Sequence, residues 1–513
     1  MDKKLWLSLA MAPLAGMGSL EAAQPDRRPN IILFLVDDMG WQDTSVPFGN
    51  QPTASNNKFE TPNMERLAAQ GVKFTQAYAC SISSPSRCSL FSGMNAARHR
   101  VTNWTYPKNE TTDQKSPVLQ VPEWNMNGIC QVSGVEHTCQ VTSLAQLLKD
   151  NGYHTIHCGK AHFGAVNTPG ENPYHMGFEV NIAGHAGGAP TTYLSERRYG
   201  NRVDGKPNPW FAVPGLEQYW EKDVFLSEAL TLEAVKALDK ARQYNQPFFL
   251  YMAHYAVHIP IDKDKRFYQK YLDKGLSPKE AAYAALVEGM DKSLGDLMDY
   301  LEKYKLSDNT IILFMSDNGG LADPSCRDGK PFTQNAPLGS GKGSAYEGGV
   351  REPMIVKWPG VTQAASTCDK PLIVEDFYPT LLEMAGIEHY KTLQTIDGVS
   401  FVPLLDNTGD PSKGRKFYWN FPNLWGDMGS GNGYGPTAVI RDGDWKLIYY
   451  YENGKKELFN IREDIGEKQN RIKEQPKLAE KLSRQLGKYL RSVDAQRPVF
   501  KATGQACPWP DEV

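Results

Sequence analysis

Apolar runs that end abruptly in polar residues recur along the chain. The first covers Asn30 to Val36 and stops at two adjacent carboxylates, Asp37 and Asp38. Similar runs follow over residues 153–158, 247–252 and 310–315, and a shorter one opens the segment 351–360. Because a continuous apolar run of this length is typical of a strand buried on both faces, these segments predict a central, mostly parallel sheet.

Segments with helical signals separate these runs. Thr61 and Pro62 favour a helix start and Gly71 favours its end. Further helices are predicted over residues 143–151, 226–243, 278–305 and 375–385. This alternation predicts an α/β fold, a large α/β/α domain whose sheet is flanked by helices. Between residues 165 and 225 the chain is rich in Gly, Pro and aromatic residues without clear periodicity, which predicts long loops around a cleft.

The pattern changes near residue 412, because Pro and Asp become frequent between residues 403 and 413. Beyond this point, three short apolar runs predict antiparallel strands and a charged amphipathic segment over 475–491 predicts a helix. We therefore expect a large domain over residues 24–412 and a smaller α+β domain over residues 413–513.

The first 23 residues have the pattern of a secretory signal peptide. A short basic start with Lys3 and Lys4 precedes an apolar segment, and the small residues Ala22 and Ala23 follow it. This pattern predicts a cleaved signal and a periplasmic or secreted protein. No later segment reaches the roughly 18 uninterrupted apolar residues that a membrane span needs, so no span is expected.

The overall charge argues against a nucleic-acid partner. The 513-residue chain carries 56 Lys and Arg against 59 Asp and Glu, a formal net charge of -3. It therefore lacks the basic surface typical of nucleic-acid binding, and an anionic ligand would have to be attracted by local cations.

The eight cysteines permit disulfides in an exported chain without requiring them. Cys130 and Cys139 are close enough in sequence to close a small loop and form the favoured pair. The alternative is that both are buried thiols, the more common fate of scattered cysteines.

Carboxylates follow two of the predicted strands. Asp37 and Asp38 follow the first, and Asp317 and Asn318 follow the run over 310–315. If these strands are neighbours, the side chains converge, and two unit charges about 4 Å apart at an effective dielectric of about 20 repel by about 4 kcal/mol. Such a group needs a cation, and its hard oxygen ligands favour Ca²⁺ or Mg²⁺ over Zn²⁺.

A separate stretch, from Ser83 to Gly93, combines a hydroxyl, a Pro and an Arg near a predicted helix start. Pro85 suits the first turn of a helix, so Ser83 lies beside free N–H groups that attract an anion. The alternative interpretation is a capped surface helix that carries Arg87 by chance.

This stretch resembles the signature of the type I sulfatases, which is Cys or Ser, any residue, Pro, any residue, Arg, and a Gly ten positions after the first. Ser83, Pro85, Arg87 and Gly93 occupy these positions. Cys80 and Cys88 lack a Pro two positions on, so the resemblance is to the serine-type version. Other segments are similar to the family in the same order, from Lys160-Ala161-His162 and His258 to Lys342, Gly348–Pro353 and 443–447.

The resemblance implies that Ser83 is oxidised to formylglycine by a serine-type sulfatase-maturating enzyme. One hydroxyl of the hydrated aldehyde attacks sulfur and the second expels sulfate. It also implies a calcium ion whose ligands are Asp37, Asp38, Asp317, Asn318 and residue 83. Lys160 and Lys342 would bind sulfate, and Arg87 and His162 would be catalytic residues beside the nucleophile. His258 would be the general acid.

The implied substrate is a sulfated carbohydrate. The contexts around His258 and over residues 99–104 look like bacterial glycan sulfatases that act on galactose or N-acetylgalactosamine 4-sulfate, as found in glycosaminoglycans and mucins. Trp104, His185 and Arg351 are candidates for holding the sugar. Two other functions remain open: a phosphoric or phosphonic monoester hydrolase of the same superfamily, and a catalytically silent glycan-binding protein.

Overall fold

The structure, a computed structural model, describes residues 28–426 and 431–513. The predicted signal peptide over residues 1–23 lies outside the described residues. No helix within them is both long enough and apolar enough to cross a bilayer.

Nine strands of the described chain form the central sheet. They are β1 (Asn30–Val36), β2 (Val72–Tyr78), β3 (His154–Gly159), β4 (Val180–Ile182), β5 (Phe248–Ala253), β6 (Thr310–Ser316), β7 (Arg351–Lys357), β8 (Ser366–Cys368) and β9 (Leu372–Ile373). Their order across the sheet is β8-β2-β7-β6-β1-β5-β3-β4, and β9 also pairs with β2. Of these described strands, β7 alone is antiparallel to its neighbours. The predicted mostly parallel sheet is confirmed.

The described part of the chain contains twelve α-helices, of which the last packs on the small sheet described below. They are α1 (Ala54–Lys58), α2 (Pro62–Gln70), α3 (Ser83–Ser92), α4 (Ala96–His99), α5 (Leu144–Asp150), α6 (Leu226–Ala241), α7 (Tyr268–Asp273), α8 (Pro278–Lys303), α9 (Glu347–Val350), α10 (Phe377–Met384), α11 (Val402–Leu405) and α12 (Pro476–Ser492).

Strand β1 shows how the sheet separates two cores. Its odd-numbered residues Ile31, Leu33 and Leu35 belong to one hydrophobic cluster, which includes side chains of α3, α5 and α10. Its even-numbered residues Ile32, Phe34 and Val36 belong to a second cluster, which includes side chains of α2, α6 and α8. Because successive strand side chains point to opposite faces, a strand buried on both sides must be apolar throughout.

A smaller antiparallel sheet follows. Its strands are β10 (Lys416–Phe421), β11 (Thr437–Asp442), β12 (Trp445–Tyr450) and β13 (Lys456–Asn460), paired in that order. Helix α12 covers one face through Leu482 and Leu486. The other face contributes Val439 and Ile448 to the first core of the large sheet. The domain boundary near residue 412 stays a prediction, since this core contains side chains from both sheets.

The expected disulfide is wrong: all eight cysteines are free thiols. Cys130 and Cys139 lie on two short parallel strands, Ile129–Cys130 and Cys139–Gln140. The register pairs Ile129 with Cys139 and Cys130 with Gln140. Neighbouring residues of a strand face opposite sides, so the two thiols point to opposite faces of the ribbon.

Candidate active site

The carboxyl ends of β1 and β6 bring the predicted carboxylates together. The two strands are parallel neighbours, with Val36 opposite Ser316, so Asp37 and Asp317 lie at the same level. The Asp317 N–H donates to the Val36 carbonyl at 2.9 Å, and the Asp38 N–H donates to Asp317 Oδ1 at 3.3 Å. The ends of the two strands therefore bring these carboxylates together as predicted, at the edge where open α/β sheets bind their ligands.

Ser83, the first residue of α3, lies against this group. Its hydroxyl is 3.1 Å from both Asp37 Oδ1 and Asn318 Oδ1, and Lys160 Nζ donates to Ser83 Oγ at 2.9 Å. Helix α3 is buried along its whole length and ends at Gly93, which has a φ of 68°. The left-handed conformation at Gly93 suits glycine, so the motif positions the helix at both ends.

Glycine also explains the position of Lys160. Gly159 ends β3 with a φ of 105°, and a Cβ there would lie 1.9 Å from the Ala253 carbonyl oxygen. This close approach lets the Lys160 N–H donate to the same carbonyl at 2.7 Å. The lysine side chain is thereby held at the edge of the sheet where β1, β5 and β6 end.

Three buried cations neutralise the three carboxylates. Arg87 Nε donates to Asp317 Oδ2 at 2.9 Å, Lys160 Nζ to Asp37 Oδ2 at 2.7 Å, and Lys342 Nζ to Asp38 Oδ2 at 2.8 Å. Each negative side chain of the group is thus paired with a different positive one.

The pKa shifts follow from burial and from these pairs. Burial raises the pKa of Asp38, but Lys342 and His258 lower it by more, so the net shift is downward. Burial lowers the pKa of Lys160 to about 8, in spite of Asp37. Burial lowers the pKa of Lys342, but Asp38, Asp37 and Asp317 together outweigh it, so the net shift is upward. The Asp38–Lys342 pair is therefore charged at neutral pH.

His258 reaches the site from the loop after β5. The Val257 N–H donates to the Asp37 carbonyl at 2.6 Å, which holds this loop against the end of β1. His258 Nδ1 donates to the Ile259 carbonyl at 2.8 Å, and its Nε2 lies 3.6 Å from Asp38 Oδ2. Burial and then Lys342 lower the pKa of His258. The free Nε2 atom thus faces the carboxylate group.

His162 lies beside Ser84, the residue after the nucleophile candidate. Its Nε2 is 2.9 Å from the Thr105 carbonyl oxygen and 3.0 Å from Ser84 Oγ. A carbonyl accepts only, so Nε2 carries the proton in the neutral ring. Burial, with Lys160 and Arg87 nearby, holds the pKa of His162 well below its usual value.

A cavity of about 880 Å³ opens above Ser83. Lys160, His162, His258 and Lys342 lie at its wall with Ser83. Its remaining surface is largely aromatic and apolar, and includes Trp104, Trp210, Phe211, Ile259, Pro260, Leu321, Trp425 and Tyr434. The loops over 188–191 and 209–211 contribute to this wall, in agreement with the cleft expected between residues 165 and 225.

Two of the three sugar-binding candidates do not line this cavity. Trp104 lines the cavity, but His185 and Arg351 do not. His185 packs beside the ring of Tyr255, and Arg351 Nη1 donates to Glu347 Oε2 at 3.2 Å. Arg351 opens β7, whose antiparallel direction the sequence did not reveal, so its side chain joins a structural ion cluster instead.

Sequence reasoning missed the aromatic wall residues beyond Trp104. Trp210 is 56% exposed and stacks on Tyr106 with the ring centroids 4.8 Å apart. Trp425 lies against Gly343, whose added Cβ would meet its ring at 2.2 Å. The only signal for Trp210 was the aromatic-rich loop composition, and nothing in the pattern marked Trp425.

The donor set fits a hard divalent cation. Asp37, Asp38 and His258 each offer a ligand atom within 4.8 Å of the others, and Asn318 Oδ1 is directed at the same Ser83 hydroxyl as Asp37. Asp317 is less available to bind a metal, because Arg87 and the Asp38 N–H already contact its two oxygens. Carboxylate and amide oxygens select Ca²⁺ or Mg²⁺, so these residues form a candidate acidic metal site.

Comparisons with known proteins agree with this geometry. Residues 29–387 match the family model described as Sulfatase, and residues 341–496 match the N-sulphoglucosamine sulphohydrolase C-terminal model. A sulfatase of Formosa agariphila is 30% identical, with 99% of this chain and 97% of that protein covered. Human N-acetylgalactosamine-6-sulfatase is 29% identical over 83% of this chain and 77% of its own.

Solved structures give the same result. The crystal structure of Ps i-CgsB has a TM-score of 0.72 and 28% identity, covering 90% of this chain and 93% of that one. Its complex with k-i-k-neocarrahexaose has a TM-score of 0.70, with the same identity and coverage. With the large α/β/α unit, the small antiparallel sheet and the Ser83 site in place, the chain belongs to the sulfatase family and is a sulfuric ester hydrolase.

Proposed function

We propose that this sulfatase removes sulfate from carbohydrates, with formylglycine made from Ser83 as its nucleophile and calcium as its metal. One observation supports this proposal above the others. The Ser83 hydroxyl is in hydrogen-bond contact with Asp37, Asn318 and Lys160 at the floor of an 880 Å³ cavity. A nucleophile, metal ligands and a sulfate-binding cation are therefore adjacent.

The lysines hold and orient the sulfate group. Lys160 and Lys342 both line the cavity, and both are held by carboxylates, which limits their movement. Fixed cations at the oxygens of the transferring group stabilise charge in the transition state without reorganisation. Arg87 does not line the cavity, so it acts by holding Asp317 and the Lys160 carbonyl rather than by touching substrate.

His258 is placed to protonate the leaving group. The form that acts is the imidazolium, in which Nδ1–H is held by the Ile259 carbonyl and Nε2–H, 3.6 Å from Asp38 Oδ2, is the proton that faces the site. When the S–O bond to the sugar breaks, the bridging oxygen needs a proton, because an alkoxide is a poor leaving group. General acid catalysis of this kind contributes about 10² to 10⁴ in rate.

Asp37, Asp38, Asp317 and Asn318 would hold the calcium ion. Bound there, it would share the carboxylates with Arg87, Lys160 and Lys342 and would polarise a sulfate oxygen. The hydrated formylglycine would supply the attacking hydroxyl. Asp37 Oδ1, which accepts from the Ser83 hydroxyl at 3.1 Å, would take its proton, and Lys160, 2.9 Å from the Ser83 oxygen, would stabilise the charge that develops there. Ser83 itself would be converted by a serine-type maturating enzyme.

The cavity wall supports a sugar substrate. Trp104, Trp210 and Trp425 line it, and aromatic faces are well suited to the apolar face of a sugar ring. We propose that the substrate is a terminal galactose or N-acetylgalactosamine that carries a 4-sulfate, and that the enzyme removes this sulfate. The N-acetylgalactosamine-6-sulfatases among the relatives favour a second candidate, the 6-sulfate of the same sugars.

The proposed location is the periplasm or the exterior of the cell. It rests on the signal-like sequence over residues 1–23. Sequencing the N-terminus of the protein purified from its native host tests this: we expect a start just after Ala23, and an intact Met1 would contradict it.

Three measurements on protein from the native host test the chemistry. Mass spectrometry of the Ser83 peptide should show the loss of two hydrogens that accompanies oxidation to formylglycine. Metal analysis should find about one calcium per chain, reduced in Asp37→Asn. A panel of 4- and 6-sulfated galactose and N-acetylgalactosamine, with the matching phosphates, should show turnover of one sulfated sugar. Faster turnover of the phosphates would favour a phosphoric monoester hydrolase, and binding without turnover would favour a silent glycan-binding protein.

A further inference from the structure

A second cavity lies where the central sheet meets the small sheet. Its volume is about 590 Å³. Trp41 from the loop after β1, Gln76 of β2, Arg351 of β7 and Arg441 of β11 contribute to its wall. Among the described residues, none that lines this cavity also lines the active-site cavity.

The charged groups on the wall are paired, with one exception. Each carboxylate has a cation within 4.0 Å, and the pairs are Asp369 and Asp410 with Lys370, Asp444 with Arg462, and Asp442 with Lys416 and Lys481. Arg351 pairs with Glu347 and Arg415 with Asp376. Arg441 has no carboxylate within that distance in the described part of the chain.

The guanidinium of Arg441 is nevertheless buried, with 3% of the residue exposed. Its Nε donates to the Gly443 carbonyl at 3.0 Å and its Nη2 donates to Gln76 Oε1. It lies 5.0 Å from the ring centroid of Tyr78. Within the described residues, its Nη1 has no hydrogen-bond partner. Arginine keeps its charge in proteins, so a buried guanidinium without an anion calls for a ligand or an ordered water.

The buried charges next to Arg441 leave one positive charge unbalanced. Tyr78, beneath Arg441, donates its hydroxyl to Glu347 Oε2 at 2.6 Å. Glu347 also pairs with Arg351 and with Lys446, and Lys446 pairs in turn with Glu467. Even with both glutamates ionised, three cations, including Arg441, face two anions. This excess lies beside the cavity.

We propose that this cavity binds an oxyanion, a sulfate or phosphate group that is either free or carried by a sugar. The Arg441 guanidinium would be its main partner and Arg351 its neighbour, because the planar fork of arginine matches the oxygens of such groups. The volume lies within the range of small-molecule sites, so a sugar ring can accompany the anion. This proposal is independent of the substrate proposed for the active site.

Crystals of the wild-type protein soaked in sodium selenate test the proposal directly. Selenate has the shape and charge of sulfate, and selenium scatters anomalously. We expect an anomalous peak within hydrogen-bond distance of Arg441 Nη1. A water without anomalous signal at that position, or selenate only beside Lys160 and Lys342, would overturn the proposal.

Calorimetric titration with inorganic phosphate tests it in solution. Wild type should bind two ions, and Lys342→Ala should retain the one at Arg441. Arg441→Gln should weaken that site about tenfold or more, since a charge-assisted bond is lost. The matched control is Arg462→Gln, an exposed arginine of the same wall that pairs with Asp444, and it should retain both ions. Unchanged binding in Arg441→Gln would contradict the proposal.

Two further measurements complete the test. Thermal unfolding without anion identifies a variant that fails to fold, in which case the selenate map of the wild type decides. Titration with galactose 6-phosphate separates the two sources of the anion. Tighter binding than inorganic phosphate at the Arg441 site indicates a sugar-borne group, and equal binding indicates the free ion.

Discussion

Two clusters of buried charge in this enzyme are alike in composition and differ in what surrounds them. The first is the group around Ser83, where Asp37, Asp38 and Asp317 pair with lysines and arginine beneath an open cavity. The second is the group around Lys446, whose ammonium lies 2.9 Å from both Glu347 and Glu467 and which is fully enclosed between the two sheets.

Their difference shows what turns buried charge into chemistry. In the Lys446 cluster the contacts of Glu347 are internal: the Tyr78 hydroxyl, Arg351 and Lys446 all bind it, so these charges hold the sheets together. In the Ser83 cluster, Lys160, Lys342 and His258 also reach a cavity wall, where a substrate can become their partner. Loss of a group from the first cluster should therefore cost activity, and loss from the second should cost stability.

Ser83→Ala should have the largest effect. Removing the nucleophile should lower turnover of a sulfated sugar by about 10⁴-fold or more, since residues that carry the covalent step cannot be replaced by binding alone. Thermal unfolding should change little. Ser89→Ala, on the same helix with its hydroxyl against His99, is the matched control and should retain turnover. Normal activity in Ser83→Ala would refute the assignment.

His258→Gln should lower turnover of a sulfated sugar by about 10² to 10⁴-fold through loss of the proton donor. With a nitrophenyl sulfate the loss should be much smaller, because that leaving group needs no protonation. Comparing kcat for the two substrates measures this difference. His254→Gln, which alters a buried histidine bound to Ser293, should affect both equally. If His258→Gln lowered kcat equally for both substrates, His258 would not be the general acid.

Lys446→Met should reduce stability rather than activity, and should lower the free energy of unfolding by about 3–5 kcal/mol. Glu347 and Glu467 would lose their shared cation, and an uncompensated buried charge is costly. Urea unfolding measures the loss, and kcat of the folded fraction should remain. Lys455→Met, which removes a half-exposed partner of Glu457, should cost at most about 1 kcal/mol. Equal losses in both variants would contradict the comparison.

The buried Glu280 extends the comparison to pH. Burial opposes its ionisation, but Arg327 and Lys58 outweigh it and lower the pKa of Glu280 to about 2. A folded pKa below the unfolded one stabilises the protein at pH above about 4.5, and this stability, about 3 kcal/mol, is lost as the pH falls towards 2. Unfolding free energies at pH 6 and pH 3 should differ less in Glu280→Gln than in wild type.

The control for that change is Glu480→Gln, whose partner Arg484 is exposed, and it should keep the wild-type pH dependence. If Glu280→Gln and wild type lost the same stability between the two pH values, the Arg327 pair would have no part in acid sensitivity.

Trp210→Ala should have the smallest effect. Loss of its stacking surface should raise KM for a sulfated sugar about tenfold, which corresponds to about 1.4 kcal/mol. KM for a small aryl sulfate should not change, because that substrate does not extend to the aromatic wall. Tyr174→Ala, an exposed aromatic away from the cavity, should leave both unchanged. Equal changes for both substrates would argue against a sugar contact.

The strands differ in how well the sequence predicted them. The apolar runs predicted β1, β3, β5 and β6 to within a residue or two, because strands buried on both faces carry an unbroken signal. The sheet strand β2 and the first strand of the small sheet, Lys416–Phe421, were missed. In β2 polar and apolar residues alternate, and its burial alternates over its first half, so no continuous run marked it.

The site shows the same limit. Ser83, Arg87, Lys160, His162, His258, Lys342 and the four metal-ligand candidates form one group. Ser83 and Arg87 belong to the motif at the start of α3, and the others follow strand ends or a glycine-rich turn that the sequence marks. His185, Arg351 and the cysteine pair did not follow expectation. Their positions depend on the direction of β7, on loop packing and on strand register, which no local pattern encodes.

The sequence by itself determined the buried strands, the polar residues at their carboxyl ends and the motif that begins at Ser83. These are local properties, since apolar periodicity and glycine conformation depend on near neighbours. Only the tertiary structure decided which charges face a cavity and which are enclosed, and which aromatic residues form the substrate wall. Those properties arise from contacts between segments hundreds of residues apart, as between Lys342 and Asp38 or Arg441 and Tyr78.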